Sequence, residues 1–179
     1  MNTSRFAFTN PKSILGHYVH HTLIILPFAL SGGFLTGSIL PTVATAIIAG
    51  ILIDFDHLID YAVEVPVRNW TLRNAIAGDH LPGAKRVFVF LHGYDAVIAY
   101  AFAAGFLLSP SIGVGLAVGM LVHTATDQFD YDGHPLRYVL LYRLYRSFEN
   151  SLFIHSQTGK NSASPSSRAP HIAKDAECD

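Results

Sequence analysis

Two long stretches without a charged side chain constrain this sequence more than anything else in it. From Ser13 to Ile53 there is no Asp, Glu, Lys or Arg, and from Ala96 to Thr126 there is again none. Each stretch exceeds the ~20 residues that one membrane-crossing helix needs. Each also carries a turn signal near its middle, SGGFLTGSILP over 31–41 and SPS over 109–111. Each therefore reads as a helical hairpin. The expected architecture is all-α: a four-span transmembrane helical bundle over 13–130, built of two helical hairpins. A polar lead over 1–12 precedes it and a polar loop over 61–86 joins the hairpins. A C-terminal amphipathic surface helix over 131–155 and a disordered tail over 156–179 follow. Within the bundle the spans start near Ile14, Thr42, Val87 and Ile112, and the first is read as a retained span rather than a signal peptide.

Charged residues make up only 14% of the chain, against roughly 25% in soluble domains. The net charge of −1 points to no nucleic-acid partner. The single cysteine, Cys178, excludes an intramolecular disulfide and a cysteine-rich zinc site. The partner the composition does imply is the lipid bilayer.

Against this apolar background the ionisable residues stand out by position. The second span ends in ILIDFDHLID (51–60), where helical spacing pairs Asp54 with His57 and Asp56 with Asp60. His17 and His21 stack at i, i+4 near the start of the first span. His92 and Asp95 stand at i, i+3 near the start of the third, and His123, Asp127 and Asp130 share a face at the end of the fourth. In an up-and-down bundle, odd helices start and even helices end on the same side, so all these groups fall in one layer. The opposite ends, 31–41 and 108–111, hold no charge and no histidine. A charged side chain left unpaired at membrane depth costs roughly 2.5–3.5 kcal/mol or more, so convergence of this many marks a site.

Imidazole beside carboxylate is metal-ligand chemistry, suited to zinc, manganese or iron. The expected ligands of one or two divalent ions are His17, His21, Asp56, His57, His92, His123 and Asp127. Asp56 and Asp127 are also the carboxylates placed to take a proton from a metal-activated water. Asp54, Asp60, Asp95 and Asp130 are expected to orient the ligand imidazoles. Arg68, Arg73, Lys85 and Arg86, in or beside the 61–86 loop, suit the binding of a phosphate or other anion at the mouth of the site. His20 points off the ligand face, His80 belongs to the loop, His134 caps a turn, and His155 and His171 belong to the tail. Leu136, Leu140, Leu144 and Phe148 line one side of the 136–153 segment, leaving Arg137, Arg143 and Arg146 to snorkel to an anionic membrane surface. Arginine and lysine all fall on the ligand side, which by the positive-inside rule is cytoplasmic, as are both termini.

The order His17-x3-His21, Asp54-Phe-Asp56-His57, Leu91-His92-Gly93-Tyr94 and His123-x3-Asp127 resembles the YdjM-like bacterial membrane proteins. These are described as membrane-bound metal-dependent hydrolases, distantly related to zinc-dependent phospholipase C and P1-type nucleases. The resemblance spans roughly residues 14–130 and implies zinc held by His123 and Asp127, joined by Asp56 or His57 and by His92, with His17 or His21 matching the N-terminal histidine. It also implies residence in the bacterial inner membrane and a phosphoester substrate, lipid-linked or not. The sequence departs from the family in lacking a second histidine just before His92. Two other readings compete: a di-iron membrane oxidase or hydroxylase, for which His17-x-x-His20-His21 fits the desaturase pattern, and a non-catalytic, metal-stapled small subunit serving protein partners in a larger membrane complex.

Overall fold

The computed structural model describes residues 14–71, 75, 84–130 and 134–152. The 1–12 lead, the 156–179 tail, Arg73, His80, His155 and His171 lie outside them. Among the described residues the chain is helical, and the one extended pairing is an isolated antiparallel bridge between Arg86 and Glu149.

Helix α1 (Ile14–Thr36) is followed by α2 (Ile39–Leu52), which tightens into a 3₁₀ turn (Ile53–Asp56) and continues as α3 (His57–Glu64). After the connecting segment come a 3₁₀ turn (Phe90–His92), α4 (Tyr94–Leu107), α5 (Pro110–Asp130), a short α6 (Leu140–Tyr145) and a last 3₁₀ turn (Asn150–Leu152). The first hairpin turn is much shorter than the 31–41 stretch expected from its glycines. Helix α1 runs on to Thr36 because Gly32 and Gly33 serve packing: a Cβ on Gly33 would meet the Ile39 backbone at 2.7 Å. The chain reverses only at Gly37, at φ +66°, a conformation that favours glycine. At the second hairpin the turn falls where expected. The Ser109 hydroxyl accepts the amide of Ile112 (3.3 Å), and Pro110 takes the first helical position.

Leu15–Thr36 and Ile39–Glu64 are long and apolar enough to cross a membrane. Helix α4 is apolar but has 14 residues, ~21 Å at 1.5 Å per residue. Helix α5 has 21 residues, with glycines and polar groups through its length. Helices α1, α2 and α5 pack against one another and α4 docks on α5. Small residues make the contact. A Cβ on Gly119 would run into the carbonyl of Ala46, and one on Gly115 would meet the Thr42 carbonyl at 2.6 Å. Small residues let the helix backbones approach this closely. Large apolar side chains accordingly face outward, among them Phe34, Leu35, Phe102 and Phe106, while Asp60, His92 and His123 are buried to 1% or less.

Replacing Gly119 by leucine is expected to wedge α2 from α5 at a cost of about 1–3 kcal/mol. The check is a thermal melt in detergent, with a fall of several degrees against little change for Gly105→Ala, whose added Cβ meets nothing nearer than 3.6 Å.

The C-terminal segment departs from the sequence expectation. Only Leu140–Tyr145 is α-helical, and the chain turns at Ser147 and Phe148, at φ 52° and 59°. Arg137 and Arg143 do not snorkel; they are buried to 1% and 0%. Arg137 donates to the carbonyls of Asp127 (2.8 Å) and Gln128 (3.2 Å), closing the end of α5. Arg143 donates to the carbonyls of Phe88 and Val89, both at 2.7 Å. Burial pushes its guanidinium down to about 10, with the Asp56 and Asp60 carboxylates opposing. Arg146 alone is at the surface, paired with Glu149 at 2.8 Å.

Candidate metal centre

The four histidine- and aspartate-bearing segments meet at one end of the bundle. The 3₁₀ turn at Ile53–Asp56 is the local device that arranges them. Its three-residue repeat eclipses positions i and i+3, which turns Asp54 and His57 inward together, Oδ1 to Nε2 at 3.7 Å. The other face carries Asp56 and Asp60 toward the 88–92 segment. Asp60 accepts the amides of Phe88 (2.6 Å) and Val89 (3.3 Å), and Asp56 accepts the amide of Leu91 (2.9 Å). Arg143 holds the carbonyls of the same two residues, 88 and 89, from the opposite side. Val89, at φ 22°, is thus clamped in an unfavourable conformation, and the 3₁₀ turn that follows delivers His92.

Two groups of donors can hold an ion: His17, His21, His123 and Asp127, and Asp54, His57 and His92. Within each, the donor atoms lie within 4.8 Å of one another. Two carboxylates link the groups. Asp54 Oδ2 stands 3.2 Å from His17, and its Oδ1 stands 3.3 Å from His123 and 3.4 Å from His92. Asp127 Oδ1 stands 3.4 Å from His21, and its Oδ2 stands 3.4 Å from His123 and 3.6 Å from His92. The chain matches no family model, no curated protein and no solved structure. What the site can do therefore rests on its own geometry.

The donor set passes a direct test of fit. Donors about 2.0–2.1 Å from a tetrahedral ion stand about 3.3–3.4 Å apart, the separation of His21 and His123 from Asp127 in the first group and of His92 from Asp54 in the second. The buried Nε2 atoms of His92 and His123 face carboxylate oxygens of Asp54 and Asp127 at 3.3–3.6 Å, the arrangement of imidazole and carboxylate donors around an ion. The tautomer of His92 follows from its neighbour. Asp56, an acceptor, takes the Nδ1 proton at 3.1 Å and leaves the Nε2 lone pair facing the layer.

Of the seven residues expected as ligands, six fall in the two groups. Asp56 is instead the hydrogen-bond partner of His92, and Asp54, expected only to orient imidazoles, stands at the centre. Asp60 anchors the 88–89 backbone. Asp95 accepts the amides of Leu140 (2.7 Å) and Leu141 (2.9 Å), capping α6. Asp130 is exposed beside His20 at 3.6 Å. Arg68 is exposed on a 3₁₀ turn (Val67–Asn69), Arg86 is exposed at the bridge to Glu149, and Lys85, also exposed, donates its backbone amide to Glu64 at 3.3 Å. His134 accepts the amide of Leu136 through Nδ1 at 3.1 Å, as a turn cap. The buried Arg137 and Arg143 are the functional-site supports that sequence reasoning missed. In sequence nothing separates them from Arg146.

Proposed function

We propose that this chain is a four-span protein of the bacterial inner membrane, of the YdjM-like kind, that binds two divalent ions and hydrolyses a phosphoester. Both termini and the donor layer face the cytoplasm. Zinc is the ion that the donor chemistry favours, with manganese or iron as alternatives. His17, His21, His123 and Asp127 would hold one ion and Asp54, His57 and His92 the other. The observation that carries the reading is this convergence of buried imidazole and carboxylate donors inside a bundle whose outer surface is apolar.

A divalent ion there supplies a water acidic enough to be hydroxide near neutral pH. The residues do the rest. Asp56 keeps His92 in one tautomer and one orientation. Asp54 and Asp127, each spanning both histidine sets, are placed to accept a proton within the layer. His17 and His57 are the least buried of the donors, with side chains 25% and 16% exposed, and so mark where a substrate reaches the layer. Arg68, Arg73, Lys85 and Arg86 supply positive charge for a phosphate on the connecting loop.

Elemental analysis of the detergent-purified chain tests the reading. Two equivalents of zinc are expected in the wild type and one or none in His123→Ala. Equal metal in both would remove the site as drawn, and two irons would favour the oxidase. A second reading, a metal-stapled subunit without turnover, draws on the depth of the layer, since His21, His92 and His123 are at most 3% exposed and closed sites are structural. A phosphodiester panel on the metal-loaded protein separates the two: turnover lost in His123→Ala supports the hydrolase, and bound metal with no turnover supports the subunit.

A further inference from the structure

Helices α2 and α4 both lie along α5, and a cleft of about 400 Å³ opens between them. Ile48 and Leu52 form one lip and Tyr100 the other, each 40–56% exposed. Leu116 and the buried Met120 form the floor. The accessible lining is wholly apolar. Its volume lies in the range of small-molecule sites, roughly 300–1,000 Å³, which ordinarily carry a few polar groups to fix their ligand. Here those groups stand at one end only. Ile53 and Leu91 close the cleft and directly precede Asp54 and His92, and Met120 lies one helical turn before His123. Three elements thus place the inner end of an apolar channel immediately below the donor layer. From Leu52 down to Thr45 the cleft follows α2 for ~10 Å, about a third of the ~30 Å hydrocarbon thickness of a bilayer.

We propose that this cleft seats an acyl chain of a membrane phospholipid, entered sideways from the bilayer, with its phosphoester head toward His57, the least buried donor of the Asp54–His57–His92 group. The inference rests on the membrane and metal reading above and names its substrate as a lipid rather than a soluble phosphoester. A soluble substrate needs no apolar channel beneath the reacting layer. A lipid needs an apolar seat beside a head-group site, and Ile53 and Leu91 of the cleft adjoin Asp54 and His92 of the donor layer.

The experiment uses the full chain in lipid nanodiscs containing a phosphatidylglycerol with a diazirine on one acyl chain, photolysed and mapped by peptide mass spectrometry. Labelling at Ala49, Leu116 and Met120 is expected to exceed that at Phe102 and Phe106, which are 77% and 82% exposed on α4 and open to any surrounding lipid, by at least fivefold. Equal labelling at the two places would overturn the proposal. Ala49→Trp and, separately, Leu116→Trp fill the cleft. Each is expected to lower labelling of Met120 at least fivefold with metal per chain unchanged, and unchanged labelling in a metal-loaded variant would overturn it. Should neither variant fold, the wild-type map decides alone. Concentrated labelling in a protein without metal would leave the seat standing and remove the metal reading; bound metal with uniform labelling would do the reverse.

Discussion

Asp54→Ala is expected to empty the centre of both ions, where His123→Ala removes one or both. The carboxylate of Asp54 stands within 3.2–3.7 Å of His17, His57, His92 and His123, so it touches both donor groups. Among the described carboxylates, Asp127 is engaged with His21, His92 and His123, Asp56 is turned toward Leu91 and His92, and Asp60 toward Phe88 and Val89. Metal per chain should fall at least tenfold. A chelator should separate the wild type from the variant in a second way. An ion held at about a thousandfold excess over its dissociation constant adds about 4 kcal/mol to the folded state. At roughly 2–4 °C per kcal/mol, chelation should lower the wild-type melting temperature by about 10 °C. The melting temperature of Asp54→Ala should not respond to chelator. Full metal content in the variant would show that the two groups are not joined through this carboxylate.

The second large effect is expected well away from the donors. Asp60 and Arg143 grip the backbone of Phe88 and Val89 from opposite sides, the carboxylate on the amides and the guanidinium on the carbonyls. Asp60→Ala orphans two amides at about 1–3 kcal/mol each, and leaves the buried Arg143 without one of the carboxylates that favour its charge. A loss of about 3 kcal/mol is expected, read as a fall in melting temperature of about 6–12 °C. The functional consequence is larger than the distance suggests, because the clamped segment delivers His92. Metal affinity should drop about 10- to 100-fold, as when the supporting hydrogen bonds of a ligand are lost. Arg143→Met should show the same pair of effects. Unaltered metal affinity in both variants would mean that His92 is positioned by Asp56 and the 3₁₀ turn without the clamp.

These expectations also show which parts of the site could be read from sequence. Helical periodicity pairs Asp54 with His57 and Asp56 with Asp60, and the structure keeps both pairs on separate faces. Periodicity is a property of one helix, however, and carries no label saying which face looks inward. The choice is made by the 88–92 segment, which presents backbone amides to the Asp56–Asp60 face and thereby leaves Asp54 and His57 to the donor layer. The same limit applies to Arg143 and Arg146. As i, i+3 neighbours in a short helix they look alike, and only the positive-φ residues Ser147 and Phe148, with the carbonyls of Phe88 and Val89, bury one and leave the other paired at the surface.

What the sequence determined by itself was the all-helical, apolar character of the described residues and the gathering at one end of the histidines and aspartates that its helices carry. Apolar runs of that length, each with one turn signal near its middle, fold back as helical hairpins, and alternating helix direction brings the polar ends together. What only the tertiary structure decided was the length and packing of the individual helices, the exchange of roles between Asp54 and Asp56, and the burial of two arginines. Those depend on contacts between segments as far apart as 28 to 55 positions along the chain, which no local pattern encodes.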